Sequence, residues 1–125
     1  HGSRIGWKGH FHAPVAFEEL CGRVRTLTPD GNFHELPYGK GLVETIGIVS
    51  GGAADDVRQA VDEGLDCYLT GEVNLQAYHA AKQGGINMIA AGHYATERFG
   101  VLALGEFLGK NLKLPFEFIN LRLPW

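Results

Sequence analysis

Between Ile86 and Gly105 the chain changes its hydrophobic rhythm. A short apolar run, Ile86-Asn-Met-Ile-Ala-Ala91, stops at Gly92, and from Tyr94 onward the apolar positions recur with helical spacing. This pattern predicts a strand running into a helix, with His93, Thr96 and Glu97 at the junction. Two earlier stretches repeat the motif. Val43–Val49 reads as a buried strand that ends at Ser50-Gly-Gly-Ala-Ala-Asp-Asp56 before a helix carrying Val57, Ala60 and Val61. Asp66–Thr70 reads as a second, ending at Thr70-Gly71-Glu72 before a helix over 73–83 with Val73, Leu75, Tyr78 and Ala81.

The flanking elements are weaker. Ser3–Phe11 alternates loosely, as an edge strand interrupted by Gly6 and Gly9 would. Ala13-Pro14 suits the opening of a helix, with Phe17, Leu20, Cys21, Val24 and Leu27 on its apolar stripe and Glu18, Glu19, Arg23 and Arg25 facing away. Thr28-Pro-Asp-Gly31 is a turn, Asn32–Tyr38 a strand, residues 95–110 a helix with Phe99, Leu102, Phe107 and Leu108, and Leu114–Leu121 a final strand.

Short right-handed connections make consecutive strand-helix-strand units parallel, which brings the three strand-to-helix junctions to one edge of the sheet. In open α/β sheets that carboxyl edge is where ligands collect. The predicted fold is therefore α/β, with a mixed, largely parallel sheet flanked by helices on both faces. At 125 residues it fits a single domain, 1–125, with 45% hydrophobic and 20% charged residues.

Charge narrows the function. A formal net charge of −3 without any run of Lys and Arg gives no electrostatic support for nucleic acid. No stretch reaches the roughly 18 apolar residues of a membrane span, and no signal-peptide pattern opens the chain, so a cytoplasmic location is expected. Cys21 and Cys67, the two cysteines, stand in apolar surroundings without paired spacing and are expected to be buried free thiols. The 18 glycines fall mainly at predicted element ends, as tight turns require.

The chemistry lies at the junctions. His93 and Glu97 are four apart, which a helix places on one face, where an imidazole nitrogen and a carboxylate can share a cation. The same residues also suit a helix start, where Thr and Glu cap or match the dipole. Glu72 and His79 join His93 and Glu97 if the junctions converge, a donor mix suited to Zn, Mn or Fe. Ser50-Gly51-Gly52 resembles a phosphate-binding turn, but Asp55 and Asp56 in the following turn repel an anion. His10 and His12 share a strand face, and His34 sits within a strand; both arrangements are ordinary for exposed or structural histidines.

The run Thr70-Gly71-Glu72, Tyr78-His79-Ala80-Ala81 and Ala91-Gly92-His93-Tyr94-Ala95-Thr96-Glu97, with Arg4-Ile5-Gly6-Trp7 and Ile46–Gly52 upstream, resembles the C-terminal half of the Nif-three-like family, often labelled GTP cyclohydrolase I type 2 homologues. The resemblance implies two divalent metal ions per site, held between both halves of a chain about twice as long, and a ring-shaped homohexamer. It makes His93 and Glu97 the metal ligands of this half and Glu72 and His79 the candidate catalytic groups. The family's adjacent His-His pair is absent from this sequence, so the chain is expected to carry only half of a dinuclear site and to self-associate or pair with the other half. The short stretch between Leu27 and Val43 also leaves no room for the extra domain that some members insert. Two functions remain open on these residues: a metal-dependent hydrolase of a nucleotide or phosphoester, and a non-enzymatic metal-binding or interaction protein that assembles as a ring.

Overall fold

The computed structural model describes residues 5–121. Ser3 and Arg4, at the start of the predicted first strand, lie outside the described residues. The elements, in chain order, are β1 (Trp7–Ala16), α1 (Phe17–Leu27), β2 (Phe33–Pro37), β3 (Leu42–Ile48), α2 (Val57–Asp62) after a single 3-10 turn at Ala54–Asp56, β4 (Cys67–Thr70), α3 (Leu75–Gly84), β5 (Asn87–Ala91) and α4 (His93–Leu112).

One five-stranded sheet has the order β1-β3-β4-β5-β2. Its three central strands are parallel, β3 to β4 and β4 to β5. The two outer strands run antiparallel to their neighbours, β1 to β3 and β2 to β5. The fold is thus α/β with a mixed sheet whose central strands form the parallel part. β5 is buried along its whole length, as a central strand covered on both faces must be.

Each face has its own apolar core. On one, Phe17, Leu20, Cys21 and Val24 of α1 pack on Val43, Ile46, Cys67 and Ile89. On the other, Val57 and Ala60 of α2 and Ala77 and Ala81 of α3 pack on Tyr68, Ile86 and Met88. Cys21 and Cys67 are both buried and free. Burial pushes the Cys21 thiol up to about 12 and the Cys67 thiol higher still, so both are protonated and inert.

Four details depart from the sequence reading. The helix expected from Ala13-Pro14 begins only at Phe17, because β1 continues through Pro14 at the sheet edge, where a missing N–H costs no ladder bond. The register shifts between His10 and Val15 to accommodate it. Leu27 falls off the buried stripe and is exposed at the end of α1. Leu114–Leu121 forms no strand and joins no ladder; Phe116 packs instead against Gly105 and Gly109 of α4. α4 itself buries only Ala95, leaving Phe99, Val101, Leu104, Phe107 and Leu112 exposed.

At the amino edge of the parallel strands, Asp66 fastens β3 to the start of β4. Its Oδ2 accepts the amides of Glu44 and Thr45, each at 3.0 Å, and the Thr45 hydroxyl at 3.1 Å. Lys40 Nζ lies 3.2 Å from Oδ1, and the side chain is only 10% exposed. Burial works to raise this carboxyl, but the Glu44 and Thr45 amides, with Lys40 and the Thr45 hydroxyl, outweigh it and hold the pKa below the ordinary value. A depressed folded-state pKa stabilises the fold above the unfolded value of about 3.9, and that stability is lost as pH falls through the folded value. Asp66→Ala is expected to lower unfolding free energy by about 2 kcal/mol at neutral pH and to flatten the loss of stability below about pH 4. Denaturant melts of both proteins across that range check this; equal stability at pH 7 contradicts it.

Candidate metal site at the carboxyl edge

Because β3, β4 and β5 are parallel, their three exits stand side by side, and the backbone stitches them together. The Gly71 amide donates to the Gly51 carbonyl at 3.0 Å, and the Gly92 amide to the Gly71 carbonyl at 2.9 Å. Gly71 is hemmed in on all sides: a Cβ there would stand 2.7 Å from the Gly51 carbonyl oxygen, from His93 Cα and from Thr96 Oγ1. Gly92, at φ +94°, turns β5 directly into α4 and lies where a side chain would meet Gly31 Cα at 2.7 Å. That turn makes His93 the first residue of α4 and puts Glu97 one helical turn on.

The side chains meet around one imidazole. His93 Nδ1 is 2.5 Å from Glu72 Oε1, and His93 Nε2 is 3.2 Å from Glu97 Oε1. A carboxylate only accepts, so each contact is a hydrogen bond when its ring nitrogen carries a proton; with the Nδ1 proton held by Glu72, loss of the Nε2 proton leaves a lone pair beside Glu97 that a cation can take. All three side chains are partly open to solvent. Two carboxylates beside one imidazole favour a cation there over an anion.

Gly51 and Gly52, read from the sequence as a weak anion loop, instead form the wall of this group. Gly51 sits at φ +72°, and a Cβ there would overlap a Glu97 carboxylate oxygen and lie 3.2 Å from His93 Nε2. A Cβ on Gly52 would stand 3.4 Å from the His93 ring and 3.5 Å from Glu72 Oε2. The signal for this role was in the sequence, as glycine at all three junctions, but local patterning does not say what the missing side chains make room for.

Of the four residues singled out, the structure brings Glu72, His93 and Glu97 together and leaves His79 out. His79 is exposed on α3, its ring edge-on to Tyr78 with centroids 5.3 Å apart. His10 and His12 are exposed on β1, and His34 on β2. Among the described residues no group of three or more His, Cys, Asp or Glu side chains is arranged to hold one ion. The geometry supplies the reason: Glu72 and Glu97 occupy opposite nitrogens of the same ring. A cation can therefore take His93 Nε2 with Glu97, while Glu72 orients the ring from behind, an outer partner common behind metal-binding imidazoles. The donors fit a two-ligand half of a metal site.

Comparison with known proteins places these features in context. The family model of Duf34/NIF3 (NGG1p interacting factor 3) matches residues 1–123. The GTP cyclohydrolase 1 type 2 homolog of Vibrio cholerae is 34% identical over 125 residues, covering 99% of this chain and 50% of that protein. The homologue in Haemophilus influenzae is 41% identical over 116 residues, 93% of this chain and 46% of its own length. Among solved structures, protein ybgI, described as of unknown function, superposes with a TM-score of 0.89 at 31% identity, over 98% of this chain and 50% of the other. TTHA1606 from Thermus thermophilus gives 0.80 at 31% identity, over 90% and 45%. The chain spans about half the length of the curated relatives it matches.

The hydrogen bond to Glu72 is the largest influence on His93 and raises its pKa; partial burial opposes it, and the Glu97 and Glu72 charges reinforce it. In the metal-free chain His93 is expected to titrate above the ordinary value of about 6.5, and Glu72→Gln to bring the midpoint down. Imidazole NMR titration checks this. A midpoint unmoved by the substitution contradicts the Glu72–His93 pairing.

Proposed function

The chain belongs to the Duf34/NIF3 family, and from that membership and the His93–Glu97 pair we propose that it is the C-terminal half of a metal-binding protein, carrying half of a dinuclear site. The observation that carries the reading is the imidazole bracketed by Glu72 and Glu97 at the carboxyl edge of the parallel strands. His93 Nε2 and Glu97 hold one divalent ion, of Zn, Mn or Fe, and ligands from the other half complete the pair. Bound divalent ions supply Lewis-acid polarisation of a scissile bond and make water more acidic.

On this reading the whole protein is a metal-dependent hydrolase acting on a small nucleotide or phosphoester. Glu72 holds the proton on His93 Nδ1 and keeps the ring oriented, and its second oxygen faces Gly52, where it can accept a proton from a bound group. His79, exposed beside Tyr78, serves as a proton shuttle only for a substrate long enough to reach α3. The relatives' label names a GTP cyclohydrolase 1 type 2 homolog, which directs the substrate search to purine nucleotides first.

The assembly follows from the same reading. The exposed apolar residues of α4, Phe99, Val101, Leu104, Phe107 and Leu112, form a surface that association with the other half and with further copies in a homohexameric ring would cover. No helix among the described residues is long and apolar enough to cross a membrane, and we place the protein in the cytoplasm.

Elemental analysis and turnover test the reading together. The protein with both halves is expected to hold about two divalent ions, to turn over a member of a nucleotide and phosphoester panel, and to lose both properties in His93→Ala and Glu97→Ala with the fold intact. This chain alone should hold little metal. Stoichiometric metal without any turnover would assign the non-enzymatic alternative, a metal-binding ring. Metal retained in both variants would refute the ligand assignment.

A further inference from the structure

We propose that Thr96 is a positioning residue for the His93–Glu97 pair, acting through the backbone of Gly51. The proposal rests on the metal reading above for its functional meaning, and on hydrogen bonds for its geometry. Thr96 Oγ1 accepts the Gly51 amide at 3.0 Å. It also lies 2.9 Å from the Gly92 carbonyl and 3.0 Å from the His93 carbonyl, to which its own proton is directed. Bonding back to the preceding turn is ordinary for a helical Thr. Accepting an amide from a loop 45 residues away is not, and it ties the β3 exit to the first turn of α4.

Both sides of Gly51 are thereby fixed. Its amide is held by Thr96, and its carbonyl receives the Gly71 amide at 3.0 Å and the Thr70 hydroxyl at 3.2 Å. Held at φ +72°, Gly51 presents bare backbone to Glu97 Oε1 and His93 Nε2, the two atoms assigned to the cation. Removing the Thr96 hydroxyl leaves a buried amide without its partner, and the loop then gains by moving until that amide finds another. The wall against which Glu97 and His93 are set moves with it. Thr96 touches neither ligand atom; its hydroxyl reaches them through the Gly51 wall and through its own bonds to the Gly92 and His93 carbonyls, and a Gly51→Ala change, which leaves those two bonds in place, isolates the loop route.

The test uses this chain in four forms: wild type, Thr96→Val, Thr96→Ser and Gly51→Ala. The measurements are exchange of the Gly51 amide, the ¹⁵N shifts of the His93 ring in metal-free protein at fixed pH, thermal stability, and affinity for Zn²⁺. Thr96→Val is expected to speed Gly51 exchange, shift the His93 ring nitrogens and weaken Zn²⁺ binding about tenfold, the order seen when an outer partner of a metal ligand is lost. Thr96→Ser should restore all three. Gly51→Ala should shift the ring and weaken Zn²⁺ with Thr96 intact. A Thr96→Val protein that melts lower yet keeps wild-type ring shifts and Zn²⁺ affinity overturns the proposal and makes Thr96 purely structural. If this half-site binds Zn²⁺ too weakly to measure, the exchange and ring-shift measurements alone decide whether Thr96 positions His93; failure of the metal reading is shown instead by metal retained in His93→Ala and Glu97→Ala of the protein with both halves.

Discussion

Close backbone approach at the carboxyl edge is the constraint on which the rest depends. Gly51, Gly71 and Gly92, one from each parallel strand exit, are linked by amide-to-carbonyl bonds of 3.0 and 2.9 Å. No side chain fits at Gly71, and Gly51 and Gly92 adopt positive φ. Glycine tolerates both conditions where other residues would be strained. The stitched exits leave space for two carboxylates, Glu72 from one junction and Glu97 from another, to flank the His93 ring. The glycine excess that looks like a matter of turns is, at these positions, what allows the site to exist.

The same edge explains the division of labour among the polar groups. One imidazole has two nitrogens, and each faces a carboxylate. A ring so held has its orientation set before any ligand arrives, which reduces the ordering that binding must impose. Glu72 and Glu97 are chemically alike and differ only in the nitrogen they face. In the proposed metal site, that difference would separate a ligand from an orienting partner. At the opposite edge Asp66 plays a purely structural part, pinning β3 to β4 so that their exits stay in register.

The elements buried on both faces were the most legible in the sequence. β3, β4 and β5 are short apolar runs ended by Gly or polar residues, and their parallel order followed from connection handedness. The convergence of Glu72, His93 and Glu97 followed from that order. Peripheral elements were less legible because their partners decide them. Pro14 reads locally as a helix start, yet at an outer strand it is tolerated. Leu114–Leu121 alternates like a strand, yet Gly105 and Gly109 offer Phe116 a packing place on α4. His79 has the right residue type but is exposed on α3 beside Tyr78, which spacing within a single helix does not reveal. The loop bond from Gly51 to Thr96 is likewise invisible in sequence, since it joins residues distant in the chain.

An anomalous difference map from Zn²⁺-soaked crystals of the protein with both halves tests the central claim most directly. The account predicts a peak bonded to His93 Nε2 and a Glu97 carboxylate oxygen, with Glu72 still on Nδ1. A peak on the Nδ1 side between His93 and Glu72, or one held by His10, His12 or His79 with His93 left bare, would contradict it.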